Sequence, residues 1–272
     1  MAVPTVASAA LPRPDHIVVA IHENHGYSQV VGTSAAPYIN SLAAGGANFT
    51  NYHGVTHPSQ GNYIAMFSGS TQGVTNDNCP QSFVGKDNLA RQLLDVNLTF
   101  KLFAETMPSV GYTGCSAGST PGDYQRKHNP VPNFNNVPSN LSVPFTGLPS
   151  DFSTLPTVSW VVPNECNDMH NCSVGTGDSW TQSKLSAYAT WAKTHNSLLV
   201  VTFDENDCFI LCNIFDSTSN KIATIIYGDH VKTGNYSTLL NHYSLLRTIE
   251  DMYGLRKSGS AATATAITNA WL

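Results

Sequence analysis

The stretch HIVVAIHEN, residues 16–24, decides the class of fold. It is an apolar run that ends in polar residues, which is typical of a buried strand. Further buried strands are predicted at residues 155–163, 197–206 and 221–228, an alternating strand at residues 47–55, and helices at residues 34–46, 179–195 and 237–255. Because strands and helices alternate along the chain, we expect an α/β fold with a mostly parallel sheet covered by helices on both faces.

Polar clusters follow four of the predicted strands. They are Glu23–Asn24, Thr56–Ser59, Asn164–His170 and Asp204–Asn206. In open parallel sheets, ligands bind outside the carboxyl ends of the strands. We therefore expect the four clusters to meet at one rim of the sheet.

The acidic residues at this rim form a set of oxygen ligands. Glu23, Asp204 and Glu205, together with the amide oxygen of Asn24, suit Mg²⁺, Ca²⁺ or Mn²⁺ better than a structural zinc ion. The alternative for Asp204 and Glu205 is a solvated acidic pair after a strand. The sequence alone leaves both interpretations open.

The segment GVTHPSQGNYIAMFSG, residues 54–69, predicts a helix that begins near Ser59. Ser59 is either an ordinary N-cap or a nucleophile at a helix N-terminus, where backbone N–H groups attract anions. A serine hydroxyl is a weak nucleophile that needs a metal or a base to activate it. Thr56 is the second candidate for that role, and Asn62 lies one turn later, within reach of a phosphoryl oxygen.

Ten histidines are many for a chain of 272 residues. His128 and His170 lie in polar loops, and His57 lies near the predicted rim. The alternative for each is a solvated loop residue. His242 falls within a predicted helix, where a structural role is favoured.

Composition excludes several classes of protein. The net charge is −5, and the chain has no basic run, which argues against nucleic-acid binding. No apolar stretch reaches the ~18 residues of a transmembrane helix. Residues 1–15 are interpreted as a short N-terminal arm before one domain, and we expect a monomer.

The six cysteines suggest disulfides formed in an oxidising, secreted or periplasmic compartment. The pairs favoured from the sequence are Cys79–Cys115, Cys166–Cys172 and Cys208–Cys212. Six buried thiols are the alternative.

Several motifs together carry a resemblance to a known family. They are HENHGYSQVVG, THPSQGNYIAMFSG, YQRKHNP, LPTVSWVVPNECNDMHNC, SLLVVTFDEND and NHYSLLRTIEDMYGL, in this order along residues 16–255. The chain resembles the phosphoesterase family that holds secreted acid phosphatases and bacterial phospholipases C. The resemblance implies an alkaline-phosphatase-like three-layer α/β/α sandwich and a single phosphoesterase domain over residues 16–272.

The resemblance also implies roles for individual residues. One divalent cation, foremost Mg²⁺ or Ca²⁺ with Mn²⁺ and Zn²⁺ as alternatives, is expected at Glu23, Asn24, Ser59, Asp204 and Glu205. Ser59 is the expected nucleophile, and Asn62, His57, His128 and His170 are expected to bind substrate. His128 and His170 would also protonate the leaving group. Gly61 departs from the family, which commonly has proline at that position.

The expected activity is that of a secreted, metal-dependent phosphatase that hydrolyses phosphomonoesters through a phosphoserine intermediate. The resemblance suggests a phosphoinositide 3-phosphate head group at a membrane surface as the substrate. The first alternative is a phospholipase C-type phosphodiesterase. The second, from another class, is a non-catalytic secreted binding module stabilised by calcium.

Overall fold

The computed structural model describes residues 11–207 and 220–272. The strands are β1 (His16–His22), β2 (Ala47–Phe49), β3 (Tyr52–His53), β4 (Phe100–Ala104), β5 (Ser116–Ala117), β6 (Tyr124–Gln125), β7 (Ser142–Pro144), β8 (Val158–Val162), β9 (Ser197–Phe203), β10 (Lys221–Ile222), β11 (Thr224–Gly228), β12 (Gly234–Tyr236) and β13 (Leu240–Asn241). The α-helices are α1 (Tyr27–Val30), α2 (Pro37–Gly45), α3 (Ser59–Ser68), α4 (Leu89–Asp95), α5 (Val174–Ala192) and α6 (His242–Met252). Short 3₁₀ helices occupy Arg126–His128, Val131–Asn133, Ser139–Leu141, Phe145–Gly147, Phe152–Thr154 and Gly259–Ala262.

One sheet of eight strands forms the centre of the molecule, in the order β12-β2-β11-β9-β1-β8-β4-β7. The strand β1 runs parallel to both of its neighbours, β9 and β8. β11 is antiparallel to β9 and to β2. All seven residues of β9 are buried, as expected for a strand covered on both faces. The predicted α/β fold with a mostly parallel sheet is confirmed.

The helices form two groups that cover the sheet. One group contains α2 and α5, which pack on each other and on β11. The other contains α3, which packs against α4 and α6. Asn241 caps α6 by accepting hydrogen bonds from the N–H groups of Tyr243 and Ser244. The result is the three-layer α/β/α arrangement implied by the resemblance.

Some predicted boundaries are wrong. The helix predicted over 237–255 begins only at His242, because residues 240–241 pair with β3 as strand β13. The helix predicted from residue 179 begins earlier, at Val174, with Ser173 as its cap. The segment after Gly46 forms two strands, and the second, β3, belongs to a three-stranded sheet with β10 and β13. The cluster Thr56–Ser59 therefore follows the small sheet and not a strand of the main one.

Two of the three expected disulfides are present. Cys79–Cys115 joins the segment after α3 to the segment before β5, and Cys166–Cys172 closes a loop after β8. The third pair, Cys208–Cys212, lies outside the described residues. Within residues 11–207 and 220–272, no helix is long and apolar enough to cross a membrane.

Candidate active site

The floor of the site is built where β1 and β9 end. The two strands are parallel neighbours, and His22 pairs in register with Phe203. The next residues, Glu23 and Asp204, therefore lie side by side, and both are fully buried. The backbone N–H of Asn24 donates to Asp204 Oδ1 at 3.0 Å. Strand order thus brings together two acids that are far apart in the sequence.

Ser59 is the first residue of α3, and Pro58 occupies the cap position. The Ser59 hydroxyl donates to Glu23 Oε2 at 2.9 Å and lies 3.4 Å from Glu205 Oε1. Since this hydroxyl faces acids, the N-cap alternative does not describe its role. The structure joins the predicted nucleophile to the predicted acidic cluster.

The side chain of Asn62 joins Glu205 to the loop that precedes α3. Its Nδ2 group donates to Glu205 Oε2 at 3.1 Å and to the Thr56 carbonyl at 2.9 Å. Its Oδ1 atom accepts the N–H of Val55. Asn62 is fully buried and does not line the cavity described next. The expected contact between Asn62 and substrate stays a prediction.

A cavity of about 620 Å³ opens above Ser59. Of the residues singled out from the sequence, its lining includes Asn24, His57, Ser59, His170 and Glu205. His25 and Asp77, for which no role is predicted from the sequence, also line it. The volume suits a small polar molecule or a lipid head group.

His128 lies behind Glu23 and not in the cavity wall. The residue is 1% exposed, and its Nε2 atom is 3.3 Å from Glu23 Oε1. Its Nδ1 atom is 3.5 Å from Asp168 Oδ2, and its ring stacks on Tyr63 with centroids 5.1 Å apart. The ring centroid of His170 is 6.4 Å from that of His128. Of these two histidines, His170 is the one that faces the cavity.

Sequence reasoning missed Asp168, which lies within the motif that contains His170. It is fully buried, and its Oδ1 atom accepts the N–H of His170 at 2.8 Å. Its carbonyl oxygen accepts the N–H of Glu23 at 2.9 Å. The disulfide Cys166–Cys172 encloses this loop. The only available signal was the acid two residues before His170, since tertiary contacts give Asp168 its importance.

Lys127, which has no role predicted from the sequence, carries a positive charge close to these acids. Its Nζ atom lies 3.5 Å from Asp77 Oδ2 and 3.7 Å from Glu165 Oε1. Burial lowers the pKa of Lys127, but the carboxylates of Glu23, Asp77 and Glu165 outweigh burial and raise it overall. Lys127 therefore keeps its positive charge beside the acidic floor.

Burial and mutual repulsion disfavour the charged forms of the acids on the floor, despite the nearby Lys127. Burial raises the pKa of Glu23, and repulsion from Asp168 adds to the effect. Burial and the charge of Glu23 likewise raise the pKa of Asp204. Burial also raises the pKa of Glu205, although the hydrogen bond from His57 opposes it. Such a cluster is characteristic of functional sites.

Two carboxylate oxygens on the floor accept no hydrogen bond of good geometry among the described residues: Asp204 Oδ2, and Glu23 Oε1, which lies 3.3 Å from His128 Nε2. Buried polar atoms are ordinarily paired, so these exceptions are places where a cation or ligand group would bind. In the part of the chain that the structure describes, no three His, Cys, Asp or Glu side chains form a ready-made metal centre. The acids supply only part of a coordination shell.

Solved structures share this architecture. A Vibrio parahaemolyticus protein in the alkaline phosphatase superfamily matches with a TM-score of 0.63 at 12% identity, over 94% of this chain and 73% of that one. The lipoteichoic acid synthase LtaP from Listeria monocytogenes matches with a TM-score of 0.62 at 11% identity, over 98% and 78% of the two chains. These likenesses establish the alkaline-phosphatase-like fold.

Sequence relatives are more specific. The phosphatidylinositol-3-phosphatase of Mycobacterium tuberculosis is 47% identical over 274 residues, which cover 99% of this chain and 88% of that protein. An acid phosphatase of Aspergillus fumigatus is 30% identical over 80% of this chain, which spans about half (51%) of the fungal protein. The model of the phosphoesterase family matches residues 33–256. The chain belongs to the phosphoesterase family.

Proposed function

We propose that this protein is a metal-dependent phosphomonoesterase with Ser59 as its nucleophile, acting on phosphoinositide 3-phosphate head groups. The observation that carries the proposal is the Ser59 hydroxyl, which opens into the cavity and donates to Glu23 at 2.9 Å. The names of the mycobacterial and fungal relatives support the class of reaction. The two disulfides support a secreted or periplasmic location.

The residues on the floor fit a divalent cation. Glu23 and Asp204 each offer a buried carboxylate oxygen that accepts no hydrogen bond among the described residues. Ser59 and Asn24 line the cavity next to these acids and carry a hydroxyl and an amide oxygen. Mg²⁺ and Ca²⁺ take such oxygen ligands and complete their shells with water. When bound, the cation would favour the ionised serine and neutralise charge on the phosphate.

The chain's own residues would carry the remaining chemistry. Ser59 Oγ attacks phosphorus as the bond to the leaving oxygen breaks, and the serine proton passes to Glu23, its hydrogen-bond acceptor. His57 and His170 line the cavity, so they are placed to bind the phosphate and to protonate the leaving alkoxide. Water then cleaves the phosphoserine, which releases inorganic phosphate and restores the hydroxyl. Positioning and charge stabilisation supply most of the rate enhancement in such transfers.

The first test combines chelation with substitution. Protein treated with a chelator is supplied separately with Mg²⁺, Ca²⁺, Mn²⁺ and Zn²⁺, and phosphate release from p-nitrophenyl phosphate is followed. We expect a metal to restore activity and Ser59→Ala to lower kcat by at least about 10³-fold. The matched control is Ser68→Ala on the same helix, because Ser68 bonds to the Ile64 carbonyl and is not in the cavity. Substantial activity in Ser59→Ala would refute the assigned nucleophile.

The second test concerns the substrate. Vesicles that contain phosphatidylinositol 3-phosphate should release inorganic phosphate. Release of phosphocholine from phosphatidylcholine, without hydrolysis of p-nitrophenyl phosphate, would instead assign the phospholipase C alternative. Stabilisation by Ca²⁺ without turnover of any phosphate ester would assign the non-catalytic binding module.

A further inference from the structure

The imidazole of His170 has a hydrogen-bond partner in the loop that carries it. Its Nδ1 atom lies 2.9 Å from Oδ1 of Asn171, and both residues line the cavity. Under the proposed function, the other ring nitrogen or this one would act on the phosphate ester. The hydrogen bonds of Asn171 determine which of the two is left for a ligand.

The side-chain amide of Asn171 can satisfy its neighbours in only one orientation. Its nitrogen, Nδ2, is 2.7 Å from Glu165 Oε2 and 3.3 Å from the carbonyl oxygen of Pro121. A carbonyl oxygen and an ionised carboxylate accept hydrogen bonds and donate none, so the NH₂ group must face them. Oδ1 is then the atom that faces His170. Because an amide oxygen has no proton to donate, Nδ1 of His170 is the atom that carries the proton.

Glu165 and Asn171 are held together at the base of the same loop. The N–H of Asn171 donates to the Glu165 carbonyl at 2.7 Å, and the adjacent residues Cys166 and Cys172 form a disulfide. The side chain of Glu165 is 9% exposed, and Lys127 Nζ lies 3.7 Å from its second oxygen, Oε1. A backbone hydrogen bond, a disulfide and a nearby cation therefore fix the acid that orients the amide.

The backbone of this loop is also fixed around His170. The N–H of His170 donates to Asp168 Oδ1 at 2.8 Å. Met169, between them, is 1% exposed and has φ = 81°, in the left-handed region that a bulky residue rarely adopts. Gly177 on α5 permits this packing, because a Cβ atom there would clash with Met169 and lie 2.8 Å from the Asn167 carbonyl oxygen. Such backbone conformations persist where the surroundings enforce them, and they cluster at functional sites.

We propose that Asn171, oriented by Glu165, is a positioning residue for His170, and that His170 acts on the phosphate ester through Nε2. This inference rests on the proposed function for the identity of the substrate. A hydrogen bond at Nδ1 fixes both the tautomer and the direction of an imidazole ring. The amide oxygen accepts from Nδ1 whether or not Nε2 carries a proton. The ring therefore keeps its place while Nε2 donates a proton to the leaving oxygen and later recovers one.

Substitution of Asn171 should lower turnover more than substrate affinity. Asn171 is exposed, so Asn171→Ala should fold. We expect it to reduce kcat for p-nitrophenyl phosphate about 10- to 100-fold and to change KM less than about threefold. A rise in KM alone would make Asn171 a substrate contact and would overturn the proposal.

The matched control is Asn167→Ala, in the loop closed by the same disulfide. Asn167 Nδ2 donates to Glu105 Oε2 at 2.9 Å, and Asn167 does not line the cavity. This variant should change kcat less than about threefold. Equal losses of kcat in the two variants would show a general effect of the loop and would overturn the proposal.

A double-mutant cycle tests whether Asn171 acts through His170. If Asn171 works by orienting the imidazole, the variant that combines Asn171→Ala with His170→Gln should be about as active as His170→Gln alone. Multiplicative losses would show that the two residues act independently and would refute the proposal.

Imidazole ¹⁵N chemical shifts distinguish failure of the inference from failure of the proposed function. When its ring is neutral, His170 of the wild-type protein should be protonated at Nδ1, the atom 2.9 Å from Asn171. The Nδ1-protonated form should persist in Asn167→Ala and lose its dominance in Asn171→Ala. An Nε2-protonated ring in the wild-type protein would overturn the inference even in an active enzyme. An Nδ1-protonated ring in a protein that hydrolyses no phosphate ester would sustain the positioning contact and refute the proposed function.

Discussion

Two buried aspartates in this molecule have opposite surroundings. Asp178 on α5 uses both carboxylate oxygens at the first turn of α2, where they accept the N–H groups of Tyr38 at 3.1 Å and Ile39 at 2.8 Å. Asp204 accepts two N–H bonds at Oδ1, but its Oδ2 accepts none within the described residues. Both carboxylate oxygens of Asp178 are therefore hydrogen-bonded within the fold, whereas Asp204 keeps one oxygen available to a ligand.

The same contrast extends to other acids. Glu105 accepts bonds from Trp180 Nε1, Asn167 Nδ2 and the N–H of Asn164. It joins the end of β4 to the loop after β8 and to α5. Glu23, by comparison, is fully buried, and its Oε1 atom accepts no hydrogen bond among the described residues, with His128 Nε2 at 3.3 Å. Buried carboxylate oxygens without a hydrogen bond cost stability, so the pair of Glu23 and Asp204 beside the cavity-lining Ser59 indicates function and not folding.

The largest expected effect is on catalysis. Asp204→Asn should lower kcat/KM for p-nitrophenyl phosphate at least about 100-fold, because it removes a carboxylate from the proposed cation site. Asp178→Asn should change kcat/KM less than about threefold, since both carboxylate oxygens of Asp178 bind α2 and not the residues around Ser59. Comparable losses of kcat/KM in the two variants would contradict the different roles assigned to Asp204 and Asp178.

Metal should stabilise the wild-type protein but not the Asp204 variant. A ligand at 100 times its dissociation constant adds about 2.7 kcal/mol to the free energy of unfolding. We expect a gain of this order for wild type with Mg²⁺ or Ca²⁺, and less than about 1 kcal/mol for Asp204→Asn. Without metal, Asp204→Asn should be at least as stable as wild type, because repulsion from Glu23 is relieved. Chemical denaturation with and without chelator measures both quantities.

Asp178→Asn should reduce stability whether or not metal is present. The substitution places an amide group against one of the two N–H donors of α2, and loss of such a cap costs about 1–2 kcal/mol. The free energy of unfolding, measured in chelator and in metal, should fall by the same amount. A loss seen only with metal would mean that Asp178 is coupled to the active site.

The smallest expected effect is at Glu250, which lies away from the candidate active site. Its Oε1 atom accepts bonds from Ser258 and Gln92, Oε2 accepts none among the described residues, and burial raises its pKa. A carboxyl whose pKa is raised in the folded state adds most to the free energy of unfolding below its unfolded pKa of about 4.3. This stabilisation is lost as the pH rises through the folded pKa. The stability of Glu250→Gln relative to wild type should therefore rise with pH across that window, by at most about 1.4 kcal/mol per pH unit. A pH-independent difference would contradict the raised pKa.

The central strands and the acids at their ends could be predicted from the sequence. Apolar runs such as residues 197–203 carry their own signal, because a strand buried on both faces requires continuous apolar residues. The rule that ligands gather at the carboxyl ends of parallel strands then placed Glu23 and Asp204 together. The boundaries of α5 and α6 were less accurate, because caps and the pairing of β13 with β3 set them.

The roles within the site required the tertiary structure. The sequence predicts Asn62, His128 and His170 alike as substrate ligands. In the tertiary structure Asn62 and His128 are buried, and of the three only His170 lines the cavity. The sequence does not single out Asp168 or Lys127, because a lone acid or lysine in a loop is ordinarily solvated. Local sequence determined the strands, helices and chemical types of the rim, since those depend on residues close along the chain. Tertiary structure alone decided which oxygen is saturated and which is free, because each hydrogen-bond partner comes from a distant segment.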